Sequence, residues 1–415
     1  MTVLRTFLTD FSDEELNYCV EGAYRADKFS SPAVAPTVNI GGKENILELW
    51  HGPTCAFKDM ALQLLPYLMT VSAKKTAEGK TIVILVATSG DTGKAALEGF
   101  KDVDKTKILV FYPVDGVSPM QKLQMTTQEG ENVAVCAIHG NFDDAQSAVK
   151  SIFTNDEIKA ELAKKNMMFS SANSINWGRL VPQIVYYFSA YADLCKMGQL
   201  QVGEPMVCAS NTNNVLTDFL KTGTYDRNRD FYATTSPSMD ILISSNLERL
   251  LYHMSGESDA AVRGWMTQLA ENGKYTVEPE VMAKIQNEFA AGYCDEAAVA
   301  DTIHKTYTDQ NYLCDTHTAV AVKVYRDYVA QTGDDLPTVI DSTASPYKFS
   351  KSVLTAVLEG NTPQLDEFDM VEELHRITGA AVPAPLAALK DKAVRFTQVC
   401  DRENMSQMVF QLLNL

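Results

Sequence analysis

One lysine, Lys58, stands where a reactive amine could be positioned. It follows the turn formers Gly52 and Pro53, and the apolar residues after it recur at helical spacing, so it lies near the start of a helix. A lysine amine is a poor nucleophile and base while it is protonated near its ordinary pKa of about 10.4, so chemistry requires a site that desolvates it or binds it covalently. The alternative is a solvated lysine in the first turn of an ordinary helix.

A second candidate site is the polar turn at residues 88–93, Thr-Ser-Gly-Asp-Thr-Gly. It follows a continuous apolar, β-rich run at residues 81–87 and precedes a helix-favouring segment. In open α/β sheets, ligands bind beyond the carboxyl ends of the strands, where loops and helix N-termini present free N–H groups. Gly90 would permit close backbone approach, while Ser89 and Thr92 offer hydroxyls to a carboxylate or phosphate. A small-residue turn that caps a helix explains the same residues almost as well.

Residues 171–179, Ser-Ala-Asn-Ser-Ile-Asn-Trp-Gly-Arg, collect donors of another kind. The amide of Asn173, the hydroxyl of Ser174 and the guanidinium of Arg179 stand at the expected N-terminus of a long helix. Such donors at a helix N-terminus suit the recognition of a phosphate group. A structural or surface arginine is the alternative interpretation of Arg179.

A hydroxyl cluster follows another short strand-like run late in the chain. Ser342 and Thr343 begin the sequence Ser-Thr-Ala-Ser-Pro, close behind residues 338–340. A hydroxyl can donate a hydrogen bond to a neutral pyridine nitrogen. Taken alone, an ordinary turn is the simpler interpretation.

The elements expected to position these residues alternate between strands and helices. The sequence predicts strands at residues 81–87, 108–112, 132–138, 206–209 and 338–340. It predicts helices at residues 17–24, 94–100, 143–153 and 176–194, the last with a break at Pro182. A further helix is expected to have Ser118 as its N-cap and Pro119 as its first residue. An amphipathic helical segment is predicted from Asp391 onward. This alternation implies parallel βαβ units with right-handed crossovers.

Composition places the chain among globular proteins and argues against several classes of function. Its 415 residues are 46% hydrophobic and 21% charged, which is enough for two domains with separate cores. The formal net charge of -17 and the pI of about 4.8 argue against a nucleic-acid or anionic-membrane partner. The eight cysteines form no C-x-x-C pair, so neither a disulfide framework nor a metal site is predicted.

The chain carries no recognisable targeting or membrane segment. No stretch approaches the roughly 18 apolar residues of a membrane span, and residues 1–10 lack a basic region followed by an apolar one. We therefore expect a cytoplasmic protein that acts on a small molecule. The sequence leaves its oligomeric state open.

The four motifs occur in an order that resembles the threonine synthase family. The similarity includes residues 140–146, 236–241 and 315–319 and runs over most of the chain. Threonine synthases are pyridoxal-phosphate enzymes of the tryptophan-synthase-β-like fold, PLP fold type II. The resemblance implies an α/β architecture of two parallel-type sheet domains with helices on both faces.

The resemblance also implies a division into two domains. A smaller, movable domain of residues 46–172 would carry Lys58 and the polar turn, and a larger domain of residues 1–45 and 173–415 would hold most of the cofactor. Closure of one domain on the other would exclude water from the site.

Each motif gains a role from the resemblance. Lys58 would bind pyridoxal 5'-phosphate as a Schiff base and shuttle protons in the conversion of O-phospho-L-homoserine and water to L-threonine and phosphate. Asp91 would face the ring oxygen of the cofactor, and Thr343 or its neighbour Ser342 the pyridine nitrogen. The implied substrate contacts are Ser89, Gly90 and Thr92 for the carboxylate, and Asn173, Ser174 and Arg179 for the phosphate.

One segment departs from the family pattern. Threonine synthases carry a strand and a glycine-rich loop that cradles the cofactor phosphate, yet no glycine occurs here between Gly203 and Gly223. We expect a strand, loop and helix to be absent near residues 200–211. A helix N-terminus at residues 210–214 could supply N–H groups instead, but we favour this less. The family also usually carries several dozen residues before the part that matches residues 5–24.

The departure keeps two alternatives to a threonine synthase open. One is a catalytically impaired or non-catalytic homologue, truncated or diverged, which the absent loop favours. The other is a different lyase of PLP fold type II, such as a dehydratase. The donor cluster at residues 173–179 argues against the dehydratase, whose substrate carries no phosphate.

Overall fold

The computed structural model describes residues 1–415, which form eleven strands and twenty α-helices. The strands are β1 (Thr37–Gly41), β2 (Glu44–Glu48), β3 (Thr81–Ala87), β4 (Thr106–Pro113), β5 (Val133–His139), β6 (Met167–Ser170), β7 (Val207–Ala209), β8 (Thr224–Asp226), β9 (Lys274–Thr276), β10 (Thr338–Ser342) and β11 (Val399–Asp401). The helices are α1 (Thr2–Phe7), α2 (Asp13–Ala23), α3 (Asp59–Leu62), α4 (Leu65–Thr76), α5 (Asp91–Phe100), α6 (Pro119–Thr126), α7 (Phe142–Thr154), α8 (Asp156–Lys164), α9 (Trp177–Leu180), α10 (Gln183–Lys196), α11 (Asn214–Thr222), α12 (Leu247–Met254), α13 (Asp259–Asn272), α14 (Pro279–Glu288), α15 (Glu296–Gln310), α16 (Thr316–Thr332), α17 (Ser350–Val357), α18 (Glu367–Thr378), α19 (Ala384–Ala387) and α20 (Met405–Leu413). None of these helices combines the length and apolar character needed to cross a membrane.

The first sheet is entirely parallel, with strand order β11-β5-β4-β3-β6. Its strand β3 spans the predicted residues 81–87, and alternate side chains enter different cores. Ile84 and Val86 pack in the cluster with α5, whereas Val83 and Leu85 pack in the cluster with α7, α8 and α20. Burial on both faces explains why this strand reads as a continuous apolar run.

The second sheet has the order β1-β2-β10-β7. β10 is one of its two inner strands, parallel to both β2 and β7, and all five of its residues are buried. β7 is an edge strand of only three residues, and its Cys208 is exposed. The β7 edge of the second sheet is therefore short and partly open to solvent.

Local signals set several helix boundaries as predicted. Ser118 caps α6 through a capping box with Gln121, and Pro119 is the first residue of that helix. The predicted long helix at residues 176–194 is present as α9 and α10, separated by the expected break at Pro182. A helical region that includes α11 to α14 closes over the antiparallel pair β8 and β9 and has its own apolar cluster.

The helical segment predicted from Asp391 onward is wrong in its first half. Residues 399–401 form β11, which pairs in parallel with β5, and only α20 at the end of the chain is a full helix. The cause is tertiary, because β5 has an open edge that a short extended segment satisfies with hydrogen bonds. The proposed domain boundaries stay a prediction, but β11 adds a C-terminal strand to the first sheet.

Candidate active site

The turn that carries Lys58 is fastened to the end of β10. Phe57 donates its N–H to the carbonyl of Thr343 (2.8 Å), and Ser345 donates its N–H to the carbonyl of Cys55 (3.1 Å). Within the turn, both the N–H and the hydroxyl of Thr54 donate to the Asp59 carboxylate, at 2.8 and 2.7 Å. These bonds fix Lys58 immediately before the first residue of α3, so the predicted helix start is confirmed.

Lys58 is buried, with 8% of its surface exposed, so it is not a solvated helix lysine. Its Nζ lies 3.6 Å from Oδ2 of Asp91 and 4.4 Å from the ring centroid of Phe57. Burial lowers the pKa of Lys58 to about 8; Asp91 opposes this shift, whereas the positive charges of Arg179 and Lys348 add to it. The amine is therefore available in its neutral form much closer to neutral pH than a surface lysine.

Asp91 begins α5 and lies between two lysines. Its Oδ1 accepts from Nζ of Lys348 at 2.7 Å and from Nε2 of Gln121 at 2.8 Å, while Oδ2 faces Lys58. Burial would raise the pKa of this carboxyl, but Lys348 and Lys58 outweigh burial and hold the pKa well below its usual range. Asp91 is thus a permanent negative charge in the site.

The polar turn before α5 is shaped by Gly90 and Thr88. Gly90 has φ +123°, and a Cβ there would lie 2.5 Å from the Gln121 side chain, so the position requires glycine. The Thr88 hydroxyl accepts from the N–H groups of Gly90 (3.0 Å) and Gly93 (2.8 Å). Ser89 and Thr92 are half-buried at the start of the helix, where their hydroxyls can meet a ligand.

Arg179 on α9 is a buried cation without a counterion. It is 5% exposed, its Nε and Nη1 have no hydrogen-bond partner, and its guanidinium carbon lies 5.8 Å from the Phe57 ring centroid. Phe57 therefore contacts both Arg179 and Lys58. Burial lowers the pKa of Arg179 to about 10. Because an unpaired buried charge is costly, the arrangement is suited to an anion that supplies the missing partner.

The other two predicted phosphate donors, Asn173 and Ser174, lie in the turn before α9. Nδ2 of Asn173 donates to the carbonyl of Ala87 at the end of β3 (3.0 Å), which ties the donor turn to the first sheet. The hydroxyl of Ser174 lies 3.1 Å from that of Ser245, in the loop before α12. The amide of Asn173 is thus partly committed to the fold, and Arg179 is the donor left open.

The two predicted hydroxyls after β10 differ in what they contact. The Ser342 hydroxyl accepts from Nε1 of Trp50 (3.1 Å) and from the hydroxyl of Thr318 (3.2 Å), so it is committed to the core. The Thr343 hydroxyl accepts only from Nδ2 of Asn211, at 3.3 Å. Thr343 is therefore the better placed of the two to contact a ligand.

Asn211 belongs to the loop between β7 and α11. This loop lies in the part of the chain that was predicted to lack the glycine-rich loop of the family. The backbone N–H groups of Asn211, Thr212 and Asn213 donate no hydrogen bond within the chain. Free N–H groups before a helix can bind an anionic group. The residues present thus fit a cofactor with an aldehyde for Lys58, a ring beside Thr343 and a phosphate.

Sequence reasoning missed two residues of this site, Lys348 and Gln121. Both are fully buried and donate to Asp91. Lys348 lies in the same motif as Thr343, and Gln121 completes the capping box with Ser118. A lysine within an apolar, hydroxyl-rich motif was the available signal, but its partner lies more than 250 residues away in sequence.

Comparison with known proteins gives consistent matches. The family "Threonine synthase, C-terminal" matches residues 318–409. Threonine synthase of Pseudomonas aeruginosa is 35% identical over 94% of this chain and 85% of its own length. Threonine synthase-like 1 of Homo sapiens is 37% identical over 84% of this chain and 51% of its own, so the chain spans about half the length of that relative.

A solved structure supports the same relationship. The PLP-bound threonine synthase from Brucella melitensis superposes with a TM-score of 0.80 at 34% identity, covering 99% of this chain and 88% of that one. The fold type predicted from the sequence is confirmed, and the predicted cofactor is the one bound in that relative. The chain belongs to the threonine synthase family.

Proposed function

We propose that this chain is a threonine synthase of threonine biosynthesis, a lyase that uses pyridoxal 5'-phosphate to convert O-phospho-L-homoserine and water to L-threonine and phosphate. The observation that carries the proposal is that two buried basic side chains, Lys58 and Arg179, lie against the Phe57 ring. Lys58 has a lowered pKa, and Arg179 lacks a counterion. The first suits covalent attachment of an aldehyde, and the second suits a phosphate ester.

Lys58 does the proton transfer in this proposal. When bound, the cofactor supplies an electron sink that allows protons to leave the carbons of the amino acid. With a pKa of about 8, Nζ of Lys58 can accept a proton from carbon and return it near neutral pH. Asp91, 3.6 Å away, stabilises the protonated form of this amine between the two transfers.

Arg179 binds and orients the substrate phosphate. Its open Nε and Nη1 provide two donors, which matches the bidentate geometry that guanidinium groups form with phosphate. Because Arg179 is buried, the interaction forms with little competition from water, and the departing phosphate keeps its counterion. Asn173 and Ser174 complete this subsite.

The remaining predicted residues hold the other ends of the ligands. Ser89, Gly90 and Thr92, at the start of α5, would bind the substrate carboxylate through hydroxyls and N–H groups. Thr343 would contact the cofactor ring nitrogen. The free N–H groups at residues 211–213 are the donors available to the cofactor phosphate.

A direct assay separates this function from a dehydratase. Purified protein with pyridoxal 5'-phosphate should release inorganic phosphate from O-phospho-L-homoserine and form threonine, with no ammonia from serine or threonine. Ammonia from serine without phosphate release would replace the proposal with a dehydratase.

A homologue that binds these ligands without turnover is the second candidate. Its support is the short edge strand β7, because the cofactor phosphate would depend on a loop held by only three strand residues. Covalent attachment of the cofactor without phosphate release from O-phospho-L-homoserine would favour this second function.

A further inference from the structure

Lys348 joins three segments of the site although it has no assigned part in it. It lies on the short 3-10 turn Pro346–Phe349 after β10 and is 0% exposed. Its Nζ contacts Oδ1 of Asp91 at 2.7 Å and donates to the carbonyl of Thr54 at 3.0 Å. Its own carbonyl accepts from the Ser118 hydroxyl at 2.6 Å. Lys348 thus links α5 and the Lys58 turn through its side chain, and the start of α6 through its backbone carbonyl.

The charge of Lys348 competes with Lys58 for Asp91. Lys348 lies 2.7 Å from this carboxylate and Lys58 lies 3.6 Å from it, so the carboxylate is engaged more closely by Lys348. The groups that face Lys58 come from three elements: Asp91 on α5, Arg179 on α9 and Lys348 after β10. Two of the three are cations, and both disfavour a proton on Lys58.

We propose that Lys348 is a positioning residue that holds Asp91 and keeps the Lys58 amine available as a neutral nucleophile. Its ammonium fixes the carboxylate through Oδ1, so only Oδ2 faces Lys58, at a distance longer than a direct hydrogen bond. Without Lys348, Asp91 could turn fully to Lys58 and form a close ion pair with it. The inference rests on the proposed role of Lys58 as the residue that binds the cofactor.

The test is the pH dependence of Lys58 reactivity in Lys348→Met, measured without cofactor. The protein is labelled at a series of pH values with trace acetic anhydride, and the Lys58 peptide is quantified by mass spectrometry. Loss of the Lys348 charge removes a repulsion and frees Asp91, so both effects favour the protonated amine. We expect Lys58 labelling at pH 7 to fall about tenfold or more, with its midpoint moved to higher pH.

Three further variants distinguish this effect from general damage. Lys94→Met removes a different buried lysine, which lies on α5 and pairs with Glu98 rather than Asp91. This variant should leave the pH profile of Lys58 labelling unchanged. Lys348→Gln keeps a donor to Asp91 without the charge and should shift the profile in the same direction, which preserves the test if the methionine variant does not fold. Lys348→Arg, which restores the charge, should return the profile toward that of the wild type.

The outcomes separate this inference from the proposed function. An unchanged Lys58 profile in folded Lys348→Met or Lys348→Gln would overturn the role of Lys348 while leaving the function intact. If the wild-type protein with pyridoxal 5'-phosphate forms no borohydride-trapped product at Lys58, the proposed function fails, whatever the labelling profile shows.

Discussion

The two sides of β10 differ sharply in how completely they are built. Toward β2 and the first sheet, Lys58, Asp91 and Lys348 lie in a closed polar cluster in which each charge has a partner. Toward β7, the sheet ends in three residues, and its Cys208 is exposed. The amine chemistry is therefore enclosed by the fold, whereas the predicted phosphate end of the cofactor lies beside an open edge.

The helix α10 shows the same openness. Val185, Phe188 and Ala192 lie three and four residues apart, so they share one helix face, and all three are exposed, Phe188 by 70%. The opposite face, with Tyr186 and Leu194, packs into the core with β10. This uncovered face and the edge of β7 adjoin residues 200–211, near which a strand, loop and helix are predicted to be absent.

The largest effect on activity is expected from replacing Lys58, which lies in the closed polar cluster. Lys58→Ala removes the amine that we propose binds the cofactor, so phosphate release from O-phospho-L-homoserine should fall by at least about a thousandfold. The measurement is phosphate release at saturating cofactor, with Lys94→Met as the control for loss of a buried lysine. Retained turnover in Lys58→Ala would remove this residue from the mechanism.

Arg179→Met is expected to weaken substrate binding without affecting the attachment of the cofactor to Lys58. It should raise the substrate concentration needed for half-maximal rate by about a hundredfold, while the cofactor stays attached to Lys58. Because the variant also removes an unpaired buried charge, the free energy of unfolding without ligands should rise, on the order of 1 kcal/mol. Urea unfolding and steady-state kinetics measure both, with the exposed Arg263→Met as the control. Loss of cofactor attachment would mean that Arg179 binds the cofactor phosphate instead.

The pH dependence of stability due to Asp341 reports whether water reaches the interior next to the open β7 edge. Burial raises the pKa of this β10 carboxyl to about 7, and its Oδ2 accepts from the Tyr187 hydroxyl of α10 at 2.8 Å. Because the folded pKa exceeds the unfolded value near 3.8, its stabilising contribution is full below about pH 4 and is lost as the pH rises through about 7.

Asp341→Asn mimics the protonated form and should therefore match the wild type at pH 4. At pH 8 it should be more stable than the wild type by on the order of 2 kcal/mol. Unfolding curves at both pH values measure this difference, with the exposed Asp104→Asn as the control. Equal stabilities at pH 8 would show that water reaches Asp341 through the β7 edge.

The smallest effect is expected on the uncovered face of α10. Phe188→Ser should change the free energy of unfolding by less than about 0.5 kcal/mol, because the ring is exposed in the folded chain. Leu194→Ala, on the buried face of the same helix, should cost about 2–5 kcal/mol. A cost above 1 kcal/mol for the serine variant would show that another surface covers this face in solution.

Local sequence signals predicted several strands and helices and singled out Lys58 as a candidate, but they did not predict the contacts between distant segments. β3 and the cap at Ser118 follow from residues adjacent in sequence, and Lys58 follows from a motif. The ion pair of Lys348 with Asp91 and the pairing of β11 with β5 depend on segments brought together only by folding. Periodicity alone could not distinguish β11 from the start of a helix.

The central claim is that Lys58 binds pyridoxal 5'-phosphate covalently in this chain despite the open β7 edge. The most direct measurement is borohydride reduction of the protein incubated with the cofactor, followed by peptide mass spectrometry. We expect one equivalent of reduced cofactor on the peptide that contains Lys58. An unmodified Lys58, with cofactor absent or scattered over surface lysines, would contradict it.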